Sequence, residues 1–156
     1  MILGVDLGTT TGLACAGKGG ILDIHSIPLA TPKEVRAWSK AGLLRARDPR
    51  VERLCKYLMD RYFVTDVVFE DVVFASSTYQ VQLWASLRGA LWLAFSHAKF
   101  HPVPVGTLKK FATGNGCADK EAMVKAAKKD SLDVQGLDDN AIDAYWLAKW
   151  GMRNII

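Results

Sequence analysis

A chain of 156 residues, half of them apolar or aromatic, can build one ordinary core, and this argues against a disordered polyelectrolyte. The formal net charge of +4 suits a polyanionic partner without demanding one. Cys15, Cys55 and Cys117 are far apart and form no CxxC pair, which excludes a disulfide framework or zinc cluster and leaves reduced thiols as the expectation.

The elements follow in chain order. Residues 1–30 are expected to form three consecutive strands, Met1–Asp6, Gly12–Ala16 and Ile21–Leu29, joined by short turns that favour antiparallel pairing. Residues 31–47 hold Lys33, Arg36, Lys40, Arg45 and Arg47 and show no clear periodicity; a basic, partly mobile segment is expected there. Asp48-Pro49 then opens a helix, with Val51, Leu54, Cys55, Leu58 and Met59 as its apolar stripe. Val64–Glu70 is a strand, and the polar linker 75–78 leads to a helix over Tyr79–Ala98 that is apolar around much of its circumference. Phe100–Val105 is a short strand whose Pro102 and Pro104 place it near a sheet edge. Helices around 107–112 and 119–130 flank a Thr113–Gly116 loop, and a last helix covers Asp139–Met152. One mixed α/β sheet covered by helices, in a single domain over 1–156, accounts for these elements. The apolar run Leu83–Phe95 is interrupted by Ser86, Arg88 and Gly89, so no membrane span is expected, and no signal peptide is apparent at the amino terminus.

Four carboxylates stand out against this background. Asp6 and Glu70 close apolar strands, where a lone charge is costly to desolvate. Asp139 and Asp143 are four apart, on one face of the last helix. Any one of these acids alone is more readily a cap or a surface charge, and Asp138 fits the role of N-cap. Together they suit shared hard divalent cations, and hence phosphodiester hydrolysis. Two further segments carry chemistry. Asp6-Leu7-Gly8-Thr9-Thr10-Thr11-Gly12 is either a phosphate-binding hairpin of the kind found in sugar kinases and actin-like ATPases, or an ordinary turn. Lys109, Lys110 and Lys120 bracket a glycine loop at a helix start, an arrangement suited to a phosphate backbone, although a solvated basic face has the same composition.

The stretches VDLGTTTGLA, VVFEDVVF, LKKFATGNGCADK and DDNAIDAYWLA together resemble the RuvC-type Holliday junction resolvases of the RNase H-like superfamily. That resemblance implies an RNase H-like fold with a mixed five-stranded sheet, its first three strands antiparallel. It also implies a homodimer that cuts four-way DNA junctions using two Mg²⁺ or Mn²⁺ ions in the cytoplasm of a bacterial or phage-infected cell. Asp6, Glu70 and Asp143 match the first, second and last family acids. Bacterial members place the third acid where Asn140 stands here, so Asp139 is assigned to it, with Asp138 as the substitute. Lys109 matches a lysine implicated in junction cleavage, and Lys120 a second basic residue. Phe74 resembles the aromatic residue that contacts the junction centre, displaced by one position, and a core role is equally open to it. Trp84, Leu87, Leu91, Trp92 and Phe95 lie on the helix that corresponds to the resolvase dimer helix; packing within one subunit is the simpler alternative. The basic stretch 31–56 has no clear bacterial counterpart, and a variable insertion that contacts DNA arms is the expectation for it. Other possibilities are an RNase H-like nuclease that processes ribosomal RNA, a kinase or ATPase half-domain, and a non-catalytic DNA-binding module.

Overall fold

The computed structural model describes residues 1–59, 61–72 and 77–155. β1 (Ile2–Asp6), β2 (Thr10–Gly17) and β3 (Gly20–Pro28) form an antiparallel meander. α1 (Pro32–Lys40), α2 (Leu43–Ala46) and α3 (Pro49–Met59) follow, and then β4 (Asp66–Asp71) pairs parallel with β1. α4 (Thr78–Ala94) leads to β5 (Lys99–Pro104), which is parallel to β4, and α5 (Val105–Thr113), α6 (Lys120–Lys129) and α7 (Asp139–Asn154) complete the chain. The sheet order is β3-β2-β1-β4-β5. The proline-bearing β5 is thus an edge strand, where the missing N–H groups cost no ladder bond.

Strand alternation divides the core into two layers. Leu3, Val5, Leu13, Cys15, Val67 and Phe69 point to one face and pack with Leu54 and Leu58 of α3 and Leu83, Leu87 and Leu91 of α4. Ile2, Ala14, Ala16 and Val68 point to the other and meet Leu108, Met123 and the α7 residues Ile142, Ala144, Leu147 and Ala148. Small residues on this second face let α7 come close. A Cβ at Gly4 would lie 2.3 Å from the Ala144 carbonyl oxygen, and one at Gly12 would lie 1.9 Å from that of Asn140. Only glycine admits the helix backbone at these two positions.

Residues 31–47, expected to be partly mobile, instead form α1 and α2. α1 opens with a capping box: the Glu34 N–H donates to Thr31 Oγ1 at 3.3 Å, and the Thr31 N–H donates to Glu34 Oε2 at 2.8 Å, with proline in the first turn. α4 ends four residues before the expected Ala98, because Phe95 leaves the helix and is fully buried in the core. Arg50, 2% exposed, is held by Asp48 at 2.5 Å and also donates to the Tyr79 hydroxyl, tying the start of α3 to the start of α4. Among the described residues no helix is long and apolar enough to cross a membrane.

Candidate metal centre

The two strand-end acids converge because of register. β1 and β4 run parallel with Val5 beside Phe69, so Asp6 and Glu70 emerge next to each other at the carboxyl ends of adjacent strands. Asp6 shares parity with Ile2 and Gly4, and Glu70 with Val68, so both side chains face α7. Asp6 pairs with Gly12, and Gly12 lies beneath Asn140 and Ala141. Gly4 lies beneath Ala144 and Ala148. Asp143, between these two seats, is therefore brought over Asp6, and Asp139 lies one helical turn earlier on the same side.

These acids are under electrostatic stress. Burial, followed by the charges of Asp143 and Glu70, pushes the Asp6 carboxyl well above the usual carboxylate range. Burial and Asp143 push Glu70 up to about 7, with Lys109 pulling the other way. Burial and Asp139 push Asp143 up to about 6 against the pull of Lys120 and Lys109. Lys109, on α5, and Lys120, at the start of α6, are thus the cations nearest the cluster. Lys120 Nζ donates to Asp139 Oδ2 at 2.8 Å. Among the described residues no three carboxylate, histidine or cysteine side chains are gathered tightly enough to form a ready coordination sphere. The donor set, all carboxylate oxygen and short of positive charge, fits a hard divalent ion.

Asp138 plays a different part. Its Oδ1 accepts from the Ala141 N–H at 2.9 Å as the N-cap of α7, and its Oδ2 accepts from Ser26 Oγ at 2.6 Å. Although burial opposes it, these bonds hold its carboxyl below the usual range. Asp138 thus caps the helix while its charge also raises Asp6, whereas Asp139 is coupled to Asp143 and Lys120.

No family model matches the chain. Curated sequences do: a crossover junction endodeoxyribonuclease RuvC from Helicobacter pylori strain G27 is 37% identical over 89 residues, covering 52% of this chain and 55% of that protein. The same enzyme from strain ATCC 700392 / 26695 is 36% identical over the same length. The match spans about half the length of these curated relatives. Among solved structures, T. thermophilus RuvC in complex with a Holliday junction substrate superposes with a TM-score of 0.72 at 19% identity, over 94% of this chain and 89% of that one. A second Thermus thermophilus RuvC structure gives 0.67 at 18% identity, over 97% and 95%. The chain shares the fold of these RuvC structures. Its mixed five-stranded sheet and flanking helices are those expected of an RNase H-like fold.

Of the four expected acids, Asp6, Glu70 and Asp143 come to one rim with Lys109 and Lys120 nearby, and Asp139 adjoins them through its charge on Asp143 and its bond from Lys120. Lys110 is exposed beside Lys109, and it is Lys109 that Glu70 and Asp143 feel. Phe74 lies outside the described residues. The hairpin Asp6–Gly12 closes on itself: Thr11 is fully buried and its hydroxyl donates to the Gly8 carbonyl at 3.0 Å. Of the expected dimer-helix residues, Leu87, Leu91 and Phe95 belong to the subunit core, while Trp92 is 50% exposed. Sequence reasoning missed Ser26, which braces Asp138 from β3; a lone serine in a strand gives no signal of that role.

Proposed function

We propose that the chain is a metal-dependent, structure-selective DNA endonuclease that resolves four-way or branched junctions. The observation that carries this reading is the convergence of Asp6, Glu70 and Asp143 at one rim, raised in pKa by burial and by each other's charge. Asp6, Glu70, Asp139 and Asp143 would hold two Mg²⁺ ions, or Mn²⁺ in their place. When bound, those ions would supply a nucleophilic water at neutral pH and charge neutralisation on the phosphodiester. Hydrolysis adds that water to phosphorus and breaks the bond to the 3′ oxygen, leaving a 5′-phosphate and a 3′-hydroxyl. Lys109 faces the same rim and stabilises the charge that grows on the scissile phosphate. Lys120, now on Asp139, and Lys110 position the backbone, a contact that carries no sequence information directly. Phe74 is assigned to the junction centre through the family pattern alone.

Junction resolution needs two symmetric cuts, and a homodimer through α4 supplies them. Tyr79, Val81, Trp92 and Leu93 leave that helix with exposed apolar surface suited to a twofold contact. The unit is one nuclease domain over 1–156, acting in the cytoplasm, where its free Cys15, Cys55 and Cys117 stay reduced. Labelled four-way junction, plain duplex and structured RNA, each incubated with Mg²⁺, test the assignment. Paired nicks confined to the junction are expected; trimming of RNA with the junction left intact would overturn it.

A further inference from the structure

The segment between β3 and α3 holds a charge surplus that the nuclease centre does not use. Residues 31–47 carry five cations against the single acid Glu34, a net +4 that equals the formal net charge of the whole chain, so the rest of the molecule is balanced. The segment is also anchored. Arg53 of α3 donates to Glu34 Oε1 at 2.9 Å and to the Leu29 carbonyl at 2.8 Å, and its guanidinium lies 5.3 Å from the centre of the Trp38 ring. Glu34 and Trp38, one turn apart, thus fix one side of α1 to α3. Lys33, Arg36 and Lys40 follow the i, i+3, i+7 spacing of a stripe on the opposite side, and all three are exposed, as is Arg45 in α2.

Nearby cations are paired: Arg47 with Glu52 at 2.9 Å, Arg50 with Asp48, and Arg53 with Glu34. Among the described residues Lys33, Arg36, Lys40 and Arg45 have no acidic partner. Position matters as much as charge. Pro28 pairs with Thr10, and the Leu29 N–H donates to the Thr9 carbonyl at 2.8 Å, so α1 leaves the sheet at the rim where Asp6 and Glu70 end. β3 is two strands from β1, about 10 Å along the sheet. The stripe from Lys33 to Lys40 runs about 10 Å along the helix axis. That equals roughly three phosphate steps of one duplex strand along its axis.

We infer that the α1 stripe Lys33–Arg36–Lys40, continued by Arg45, is a second DNA-binding surface that grips the phosphate backbone of a duplex arm leaving the acidic centre. It rests on the proposed function for what the arm belongs to, but its partner, duplex DNA, follows from an anchored, uncompensated cationic face on the same rim. The grip reads backbone charge and adds no sequence preference.

The test compares the full chain with Lys33→Gln/Arg36→Gln/Lys40→Gln in chelator, where nothing is cut. Binding to plain duplex, to structured RNA and to four-way junctions with short or long arms is followed by anisotropy across a salt series. The variant is expected to bind duplex and long-armed junctions roughly tenfold more weakly, and its log–log salt slope is expected to fall by about 0.9 for each phosphate it no longer neutralises. Its affinity for short-armed junctions and its cleavage of them with Mg²⁺ stay unchanged, as does its melting temperature. Lys33→Arg/Lys40→Arg retains wild-type binding, and single Arg36→Gln keeps the comparison open should the triple variant melt early. Equal duplex affinity and slope for wild type and variant would overturn the inference. So would a loss that extends equally to short arms or appears on RNA alone. If wild type cuts no junction yet loses duplex binding with the α1 charges, the nuclease assignment fails and the surface stands.

Discussion

Replacing Glu70 with glutamine is expected to make the metal-free protein more stable at neutral to mildly basic pH. Burial and Asp143 hold this carboxyl at about 7, against an ordinary 4.5. Between those values the folded protein keeps a proton that the unfolded chain has released, so stability falls as pH rises through the window and remains low above it. Each unit of difference corresponds to about 1.36 kcal/mol, which puts the full shift near 3 kcal/mol. The side chain is partly open to water and shares its repulsion with Asp143, which reduces the recoverable part to roughly 1–2 kcal/mol. Glutamine keeps the shape and removes the charge. Urea unfolding in chelator should show the variant more stable than wild type by that amount near about pH 8, with the gap closing near about pH 5. The corresponding rise in melting temperature is a few degrees, at roughly 2–4 °C per kcal/mol for a chain of this size. Adding Mg²⁺ should stabilise the wild type at the higher pH and the variant much less. A variant that is equally destabilised at both pH values would refute the electrostatic reasoning and make Glu70 an ordinary packing residue.

Other outcomes follow from the same geometry. Gly12→Ala puts a methyl group 1.9 Å from the Asn140 carbonyl oxygen; α7 must shift, with a loss of about 1–3 kcal/mol or more in chemical unfolding and a loss of cleavage at temperatures where the variant is still folded. Asp138→Ala removes the N-cap and the Ser26 bond, costing about 1 kcal/mol of stability while sparing metal-dependent cleavage. Asp139→Asn should do the reverse, and calorimetric Mg²⁺ titration of the two variants separates the structural acid from the proposed ligand. Arg50→Leu leaves Asp48 buried without its partner and should cost about 3–5 kcal/mol, read as a lower urea midpoint with unchanged slope.

The parts of the fold that could be read from sequence were those with strong periodicity or strong punctuation. The strands ending in Asp6 and Glu70, the Asp48-Pro49 helix start and the proline-marked edge strand all lie within a few residues of expectation. α1 was missed because only Val35 and Trp38 mark its apolar side, too few for a periodic signal; the available sign was Thr31-Pro32-Lys33-Glu34, a capping box with proline in the first turn. α4 was drawn too long because the apolar run continues through Phe95, which is buried by leaving the helix rather than by extending it. At the site, Asp6, Glu70 and Asp143 were legible as charges in apolar settings. The bond from Ser26 to Asp138 was not, although Asp138 already fitted the N-cap and Asp139 was assigned as the third acid. Nor was the need for Gly4 and Gly12, which depends on a helix more than a hundred residues away.

The most direct measurement of the central claim is cleavage of a synthetic four-way junction by wild type and Asp6→Asn side by side, with Mg²⁺ and with chelator. Wild type is expected to make paired, Mg²⁺-dependent nicks that leave 5′-phosphates, while Asp6→Asn binds the junction with undiminished affinity and leaves it uncut. Cleavage that survives in Asp6→Asn, or that proceeds in chelator, would contradict a metal centre built on Asp6, Glu70, Asp139 and Asp143.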